Sequence, residues 1–370
     1  MSDRSNATLI FPSCVPGAEA YARAARQRGE YVVAASSLAY DLTSSKFEAW
    51  FRLPSVYASD FVQELDNAVA KFDIARIYCP VSAAHVALKR LAHEGKLPIP
   101  VVGEMPTERH AREHRNLMDC AAAYHRFIQD ASEGRTSLSV LEVAGVLRHS
   151  LRIFGESDEA KIAAMMAIFA DAPHGDIIEI GVLAGRTACV LGMMAERHGT
   201  GAVLVIDPWS AVEAPQQEST DDVQAVVATW DPAILFESFI LALLPIATYG
   251  RFSYLAAPSR EAHRVWSECN AVETPFFGTV RYSGTIAVLH IDGNHDFVRV
   301  SEDCALWLPH LIPGGWLILD DYFSFHCDGP RRVGDALLRE QAGHVERVFV
   351  CGKALFIKLA GYTWSKKRTR

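Results

Sequence analysis

The chain reads as an α/β protein, a small α/β domain followed by a larger one, each built on a parallel sheet. Three observations predict it. Short apolar runs that end in glycine, proline or an acid recur along the 370 residues. Segments with helical spacing separate them, which is the strand–helix–strand rhythm of parallel sheets. Half of the residues are apolar, 22% are charged and the net charge is −8. That balance suits sizeable cores and excludes global disorder. Such acidity also opposes nucleic-acid binding by phosphate neutralisation.

The elements follow in order. Residues 7–15 are an apolar run closing in turn residues, 17–29 carry Ala and Tyr at helical spacing up to Gly29, and 30–36 are rich in β-branched residues. This is one strand–helix–strand unit. A second has a strand over 74–81, Ser82 as a cap, a helix over 83–94 and a strand from Pro98 to Val102. Tyr78-Cys79-Pro80 and Ile99-Pro100-Val101-Val102-Gly103, in that setting, resemble the pre-ATP-grasp domain that precedes the catalytic part of ATP-grasp enzymes. The resemblance covers residues 7–105. No ATP-grasp catalytic module follows, so it implies a recognition domain and no ligase activity; a structural or oligomerisation domain is the alternative. Residues 108–135 are polar and rich in His, Arg and Glu, as a helical linker would be. The expected division is therefore 1–105, a linker over 106–150, and 151–370. Two amphipathic patterns, one with Leu138, Leu141, Val146 and Leu147 and one with Ile162, Met166 and Phe169, would cover the sheet that follows.

In the last domain, Ile177-Ile178-Glu179-Ile180-Gly181 is a short strand ending in an acid and a glycine. The turn runs to Gly185 and Thr187, and a helix follows from Ala188 to Arg197. A glycine turn there lets backbone amides approach a ligand at the helix N-terminus. The pattern is Glu-x-Gly-x-x-x-Gly-x-Thr, not the GxGxxG of dinucleotide sites, which opposes a nicotinamide oxidoreductase. The next strand, Ala202–Ile206, closes on Asp207, placed to accept ribose hydroxyls. Trp209 could lie against an adenine ring or pack as a core aromatic.

Here the sequence resembles the class I S-adenosylmethionine-dependent methyltransferases, with a Rossmann-like sheet. The Glu179/Gly181/Gly185 loop and Asp207 match their first two motifs. The sheet would continue through Phe252–Ala256, Ile286–Ile291 and Trp316–Leu319 and finish in a hairpin of Arg347–Val350 and Ala354–Lys358. The resemblance implies cofactor contacts from Glu179, Gly181, Gly185, Thr187, Asp207, Trp209 and Ser259.

Two further strands end in acids, at Asp292 and at Asp320-Asp321. In the family's sheet these acids converge at the carboxyl edge, where like charges repel unless a cation neutralises them. All-oxygen ligands suit Mg2+. This pattern resembles the metal-dependent O-methyltransferases acting on the sugars of macrolides and aminocoumarins, the macrocin and mycinamicin type. It implies Asp292, Asp320 and Asp321 as metal ligands; the alternative is that Asp321 caps the following helix and no ion binds. Relatives place a base two or three residues after the first Asp. Asn294 cannot serve, so His295 is the expected base, beside Asp292 at the reacting centre.

Gly293-Asn294-His295-Asp296 also occurs in metallophosphoesterases, but their other motifs are missing, as is the nucleophile elbow of α/β-hydrolases. The segment from Trp209 to Phe239 is expected to be a lid, and Asn270–Gly284 an irregular stretch. His326, Arg331 and Arg332 could reach an acceptor or be surface.

The eight cysteines show no CxxC and the opening residues no signal-peptide pattern, so a reduced, cytoplasmic setting is expected. The basic run from Lys366 to Arg370 is read as a solvated tail. The expected activity is O-methylation of a sugar-like small molecule with S-adenosylmethionine and Mg2+. No nucleic acid or membrane is expected as partner, in a chain free to form a homo-oligomer. A metal-independent N- or carboxyl-methyltransferase, or a cofactor-binding assembly module, is the alternative.

Overall fold

The computed structural model describes residues 7–360; the basic run after Lys366 lies outside them. Contacts divide the chain into two compact units, Met1–Asn116 and Leu117–Arg370. The boundary falls inside one long helix, α4 (Pro106–Ala131), which follows seven strands and helices of the first unit and the short β5.

The first unit contains β1 (Ala7–Ile10), α1 (Ala18–Gln27), β2 (Val32–Ser36), β3 (Ala49–Arg52), α2 (Phe61–Phe72), β4 (Ile74–Tyr78), α3 (Ser82–His93) and β5 (Val101–Val102). All strands are parallel, in the order β3-β2-β1-β4-β5. Leu9, Val33 and Ile77 face Phe61 and Leu65 of α2 on one side of the sheet. Ile10, Val32 and Tyr78 pack with Ala18, Ala22 and Ala25 of α1 on the other. The sequence reading leaves residues 37–73 without elements. They form β3 and α2, and β3 is a four-residue edge strand that escapes detection because it is half-exposed and does not alternate.

The second unit adds α5 (Val140–Ser150), α6 (Glu159–Ile168), β6 (Asp176–Ile180), α7 (Arg186–His198), β7 (Val203–Ile206), α8 (Asp221–Val227), α9 (Pro232–Ala247), β8 (Phe252–Leu255) and α10 (Ser259–Cys269). Then come β9 (Ala271–Thr274), β10 (Gly278–Arg281), β11 (Ile286–Ile291), α11 (Phe297–Trp307), β12 (Leu311–Leu319), α12 (Gly329–Glu340), β13 (Val345–Cys351) and β14 (Ala354–Leu359). Its sheet runs β13-β14-β12-β11-β6-β7-β8, parallel except that β14 opposes both of its neighbours. This is the Rossmann-like α/β sheet expected. The order reverses between β6 and β11, so a ligand crevice opens outside their carboxyl ends. Asn270–Gly284 is not irregular: β9 and β10 form an antiparallel hairpin whose Val272 and Val280 join the core.

The helix α6 also departs from expectation. It is not amphipathic, because every residue from Lys161 to Ile168 is buried. Its N-cap Asp158 accepts the Lys161 amide at 2.8 Å. A charged network ties the far edge of the sheet to the preceding loop. Asp171 accepts Trp316 Nε1 at 3.1 Å and Lys358 Nζ at 2.9 Å, and pairs with Arg135 at 3.0 Å. Asp171→Ala leaves Trp316 Nε1 unpaired and takes one of the two carboxylates from Lys358, which keeps Glu346 at 3.1 Å, so urea unfolding should show a loss of about 1–3 kcal/mol. Breaking the exposed Arg299–Glu302 pair by Arg299→Ala should cost within about 1 kcal/mol.

Candidate active site

The crevice is a cavity of about 720 Å³, large enough for two small molecules side by side. Its floor is the loop between β6 and α7. Gly181 has φ 84°, and a Cβ there would lie 2.0 Å from the Asp292 carbonyl oxygen, so only glycine lets β6 and β11 close at their tips. Asp207 fastens this loop: Oδ2 accepts the amides of Val182 (2.8 Å) and Leu183 (3.1 Å), and Oδ1 that of Trp209 (2.8 Å). Burial pushes the Asp207 carboxyl up despite those amides. Leu183, Trp209 and Asp321 all have positive φ, of 53°, 39° and 49°. Backbone strain of this kind gathers where the fold must aim side chains at a ligand.

Gly181, Thr187, Asp207, Trp209, Ser259, Asp292, His295, Asp320 and Asp321 all line the cavity. Two expected cofactor residues stand behind the wall. Gly185 caps α7 beneath Leu243 and Phe239. Glu179 is fully buried, and its Oε1 accepts His290 Nδ1 at 2.8 Å across the β6–β11 pairing. Trp209 is fixed by its own neighbours. Its Nε1 donates to the Leu183 carbonyl at 2.8 Å, and its ring sits 5.0 Å from Phe236 and 4.9 Å from Phe239. Ser259 opens α10 and accepts Trp307 Nε1 at 2.9 Å. The segment expected as a lid is latched at its middle: Asp296 accepts the amides of Gln217 (2.9 Å) and Glu218 (2.7 Å), and Asn294 Nδ2 donates to the Pro215 carbonyl at 3.1 Å.

The acids at the ends of β11 and β12 do come together, as the adjacent strand ends require. Asp292 N donates to the Ile180 carbonyl at 2.7 Å and Asp320 N to the Ile291 carbonyl at 2.9 Å. The cation between them is one the sequence reading missed. Lys161 of α6, 2% exposed, bonds Asp320 Oδ2 and lies 3.3 Å from Asp292 Oδ2. Lys353, on the β13–β14 turn, lies 3.0 Å from Asp321 Oδ1. Burial and the adjacent Asp320 push the Asp292 carboxyl up; burial would do the same to Asp320, but Lys161 outweighs it and holds Asp320 below the usual carboxylate range. No local pattern marks the contact: α6 also carries Glu159 in its first turn, and a lysine two residues on reads as exposed.

His295 faces the same acids, with Nε2 3.2 Å from Asp321 Oδ2 and 3.9 Å from Asp292 Oδ1. Burial alone would push its imidazole down, but Asp292, Cys327 and Asp321 outweigh it and hold the pKa up at about 10. The free site therefore carries His295 protonated at neutral pH.

A divalent ion needs the acidic oxygens to converge unopposed. Ligand-type atoms within 4.8 Å of one another form two groups among the described residues, His290–Asp292–Asp320 and Asp292–His295–Asp321, so Asp320 and Asp321 fall in different groups. Lys161 already sits on the Asp292 and Asp320 oxygens of the first. An ammonium about 4 Å from a doubly charged ion repels it by roughly 8 kcal/mol at an effective dielectric near 20. As arranged here, the three aspartates do not fit a resident divalent ion.

Residues 178–322, well short of half the chain, match the model of a methyltransferase domain. Three solved structures are similar to part of this chain. The O-methyltransferase NovP is 15% identical, with 54% of this chain and 79% of that one covered at a TM-score of 0.40. CalS11, a TDP-rhamnose 3'-O-methyltransferase of calicheamicin biosynthesis, is 15% identical over 70% of this chain and 96% of that one, with a TM-score of 0.37. MycE, from the mycinamycin pathway and in complex with Mg, SAH and mycinamycin VI, is 13% identical over 60% and 57%, with a TM-score of 0.36. No curated protein matches the sequence. Among the described residues no single helix is long and apolar enough to cross a membrane.

The paired state of His295 makes a stability prediction. Its folded pKa, about 10, lies above the unfolded value near 6.5. The stability it contributes is therefore complete below about pH 6.5 and is lost as pH rises through about 10. The gap in unfolding free energy between wild type and His295→Phe should shrink over that window; a gap independent of pH would contradict the ion pairing.

Proposed function

We propose, from the match of residues 178–322 to a methyltransferase domain, that the protein moves a methyl group from S-adenosylmethionine to a hydroxyl of a sugar-like or polyhydroxylated small molecule. One observation carries this reading: His295 and Asp292, at the carboxyl end of β11, share one cavity with the glycine loop and Asp207. An acceptor and a cofactor held in that cavity would meet over His295. The acceptor class rests on the resemblance carried by Asp292, Asp320-Asp321 and His295.

The cofactor, when bound, supplies an electrophilic methyl carbon on a sulfonium. The chain's own residues do the rest. The N-terminus of α7, behind Gly185, offers the first-turn amides of a helix, and Asp207, which engages the loop amides of Val182 and Leu183, holds that loop in shape while Oδ1 keeps a lone pair for a ribose hydroxyl. Asp292 and Asp321 accept hydrogen bonds from acceptor hydroxyls and fix their direction of attack. His295 Nε2 takes the hydroxyl proton. It can do so only once it has shed its own proton, and a positive charge in the cavity disfavours the imidazolium. Mg2+ dependence, the finer expectation of the resemblance, is opposed by Lys161, and no step passes through an ion.

Labelled S-adenosylmethionine with a panel of glycosides and nucleotide sugars tests the proposal, with the methylated product identified by mass. Transfer to hydroxyl groups is expected, and transfer only to amines or carboxylates would overturn it. His295→Ala should lower kcat by about 10²–10⁴-fold with the affinity for the cofactor unchanged. In wild type, kcat/KM should climb with pH toward the His295 pKa near 10, and kcat should level off at lower pH.

A further inference from the structure

We propose that Lys161 is the resident cation of the acceptor site, so that the protein holds its carboxylates ionised and in register without a divalent ion. The inference rests on the reading of the cavity as a methyltransferase site, but its test does not.

Three observations carry it. Lys161 is 2% exposed, and its ammonium lies on Asp320 Oδ2 and 3.3 Å from Asp292 Oδ2. Those two carboxylates, with His290, form one of the two groups whose atoms approach within 4.8 Å. The lysine thus fills the very oxygens a metal would share. A buried ammonium with no partner would be costly, so a lysine in an apolar helix is retained only where acids meet it.

The second observation is how the lysine is delivered. Asp158 caps α6 and accepts the Lys161 amide at 2.8 Å. Gly352, at φ 58° in the turn between β13 and β14, sits so close that a Cβ there would be 3.0 Å from Asp158 Oδ1 and 3.2 Å from the Lys161 Cβ. The first turn of α6 is therefore seated against the β13–β14 turn. The third is that the other acid has its own cation: Lys353 lies 3.0 Å from Asp321 Oδ1. Each acid at this edge meets a lysine, which removes the repulsion that would otherwise call for a metal.

Lys161 does not touch the reacting atoms in this account. It is a positioning residue that acts through Asp292 and Asp320, and a purely structural role would not alter metal affinity. Removing its charge without its bulk should therefore open the His290–Asp292–Asp320 group to an ion.

The test is Mn2+ and Mg2+ binding to the purified full chain, by electron paramagnetic resonance and calorimetry, with neither cofactor nor acceptor added. Wild type should show no saturable site at millimolar metal. Lys161→Met should gain one, at least tenfold tighter than any residual binding to wild type. A saturable Mn2+ or Mg2+ site in wild type overturns the proposal, and this arm stands even if the variant does not fold. A folded Lys161→Met variant that binds metal no better than wild type overturns it as well. Failure of the glycoside screen would count against the methyl-transfer reading and leave these metal results as they are.

Discussion

The carboxyl edge of the larger unit's sheet depends on one interaction, the buried ammonium of Lys161 against Asp292 and Asp320. Parallel strands that end side by side at a topological switch point bring their terminal side chains together. Here those side chains are acids, and Asp320 is buried. Ionised carboxylates in such a place are unstable unless paired. Lys161 satisfies that requirement from α6, whose remaining buried residues are all apolar. The helix thus serves the core with most of its surface and the site with one residue.

Backbone constraint supplies the rest of the geometry. Gly181 lets β6 and β11 approach, and Asp207 ties the following loop by three amides. Trp209 is pinned between Phe236, Phe239 and the Leu183 carbonyl, which makes it a rigid wall of the cavity. Asp296 pins the segment around Gln217 and Glu218. The cavity is therefore preformed on its floor and on two stretches of its lining, and the titrating group with a shifted pKa near 10, His295, faces into it. Preorganisation of this kind is how a protein lowers the cost of aligning two reactants.

Much of this was legible from residues alone, and the reasons differ by element. The strands of the main sheet are short apolar runs closed by Gly181, Asp207, Asp292 or Asp320, so their ends could be read directly. The glycines were legible because nothing else fits where strands meet. Glu179 was placed at the cofactor, but its partner His290 depends on the β6–β11 register, which no local pattern reveals. The hairpin at Asn270–Gly284 was hidden because its strands are four residues long and mostly polar on one face. Lys161 was passed over since charged residues in helices are usually exposed, and only tertiary packing shows that this one points inward. The three acids read as ligands of a divalent ion; the lysine that meets two of them is visible only in the fold.

Methyl transfer in this cavity requires that it hold S-adenosylmethionine. Isothermal titration of S-adenosylmethionine into chelator-treated protein is the most direct measurement. Saturable one-to-one binding, unaltered when Mg2+ is restored, is the predicted result. No heat under either condition would contradict the reading of the glycine loop and Asp207 as a cofactor site.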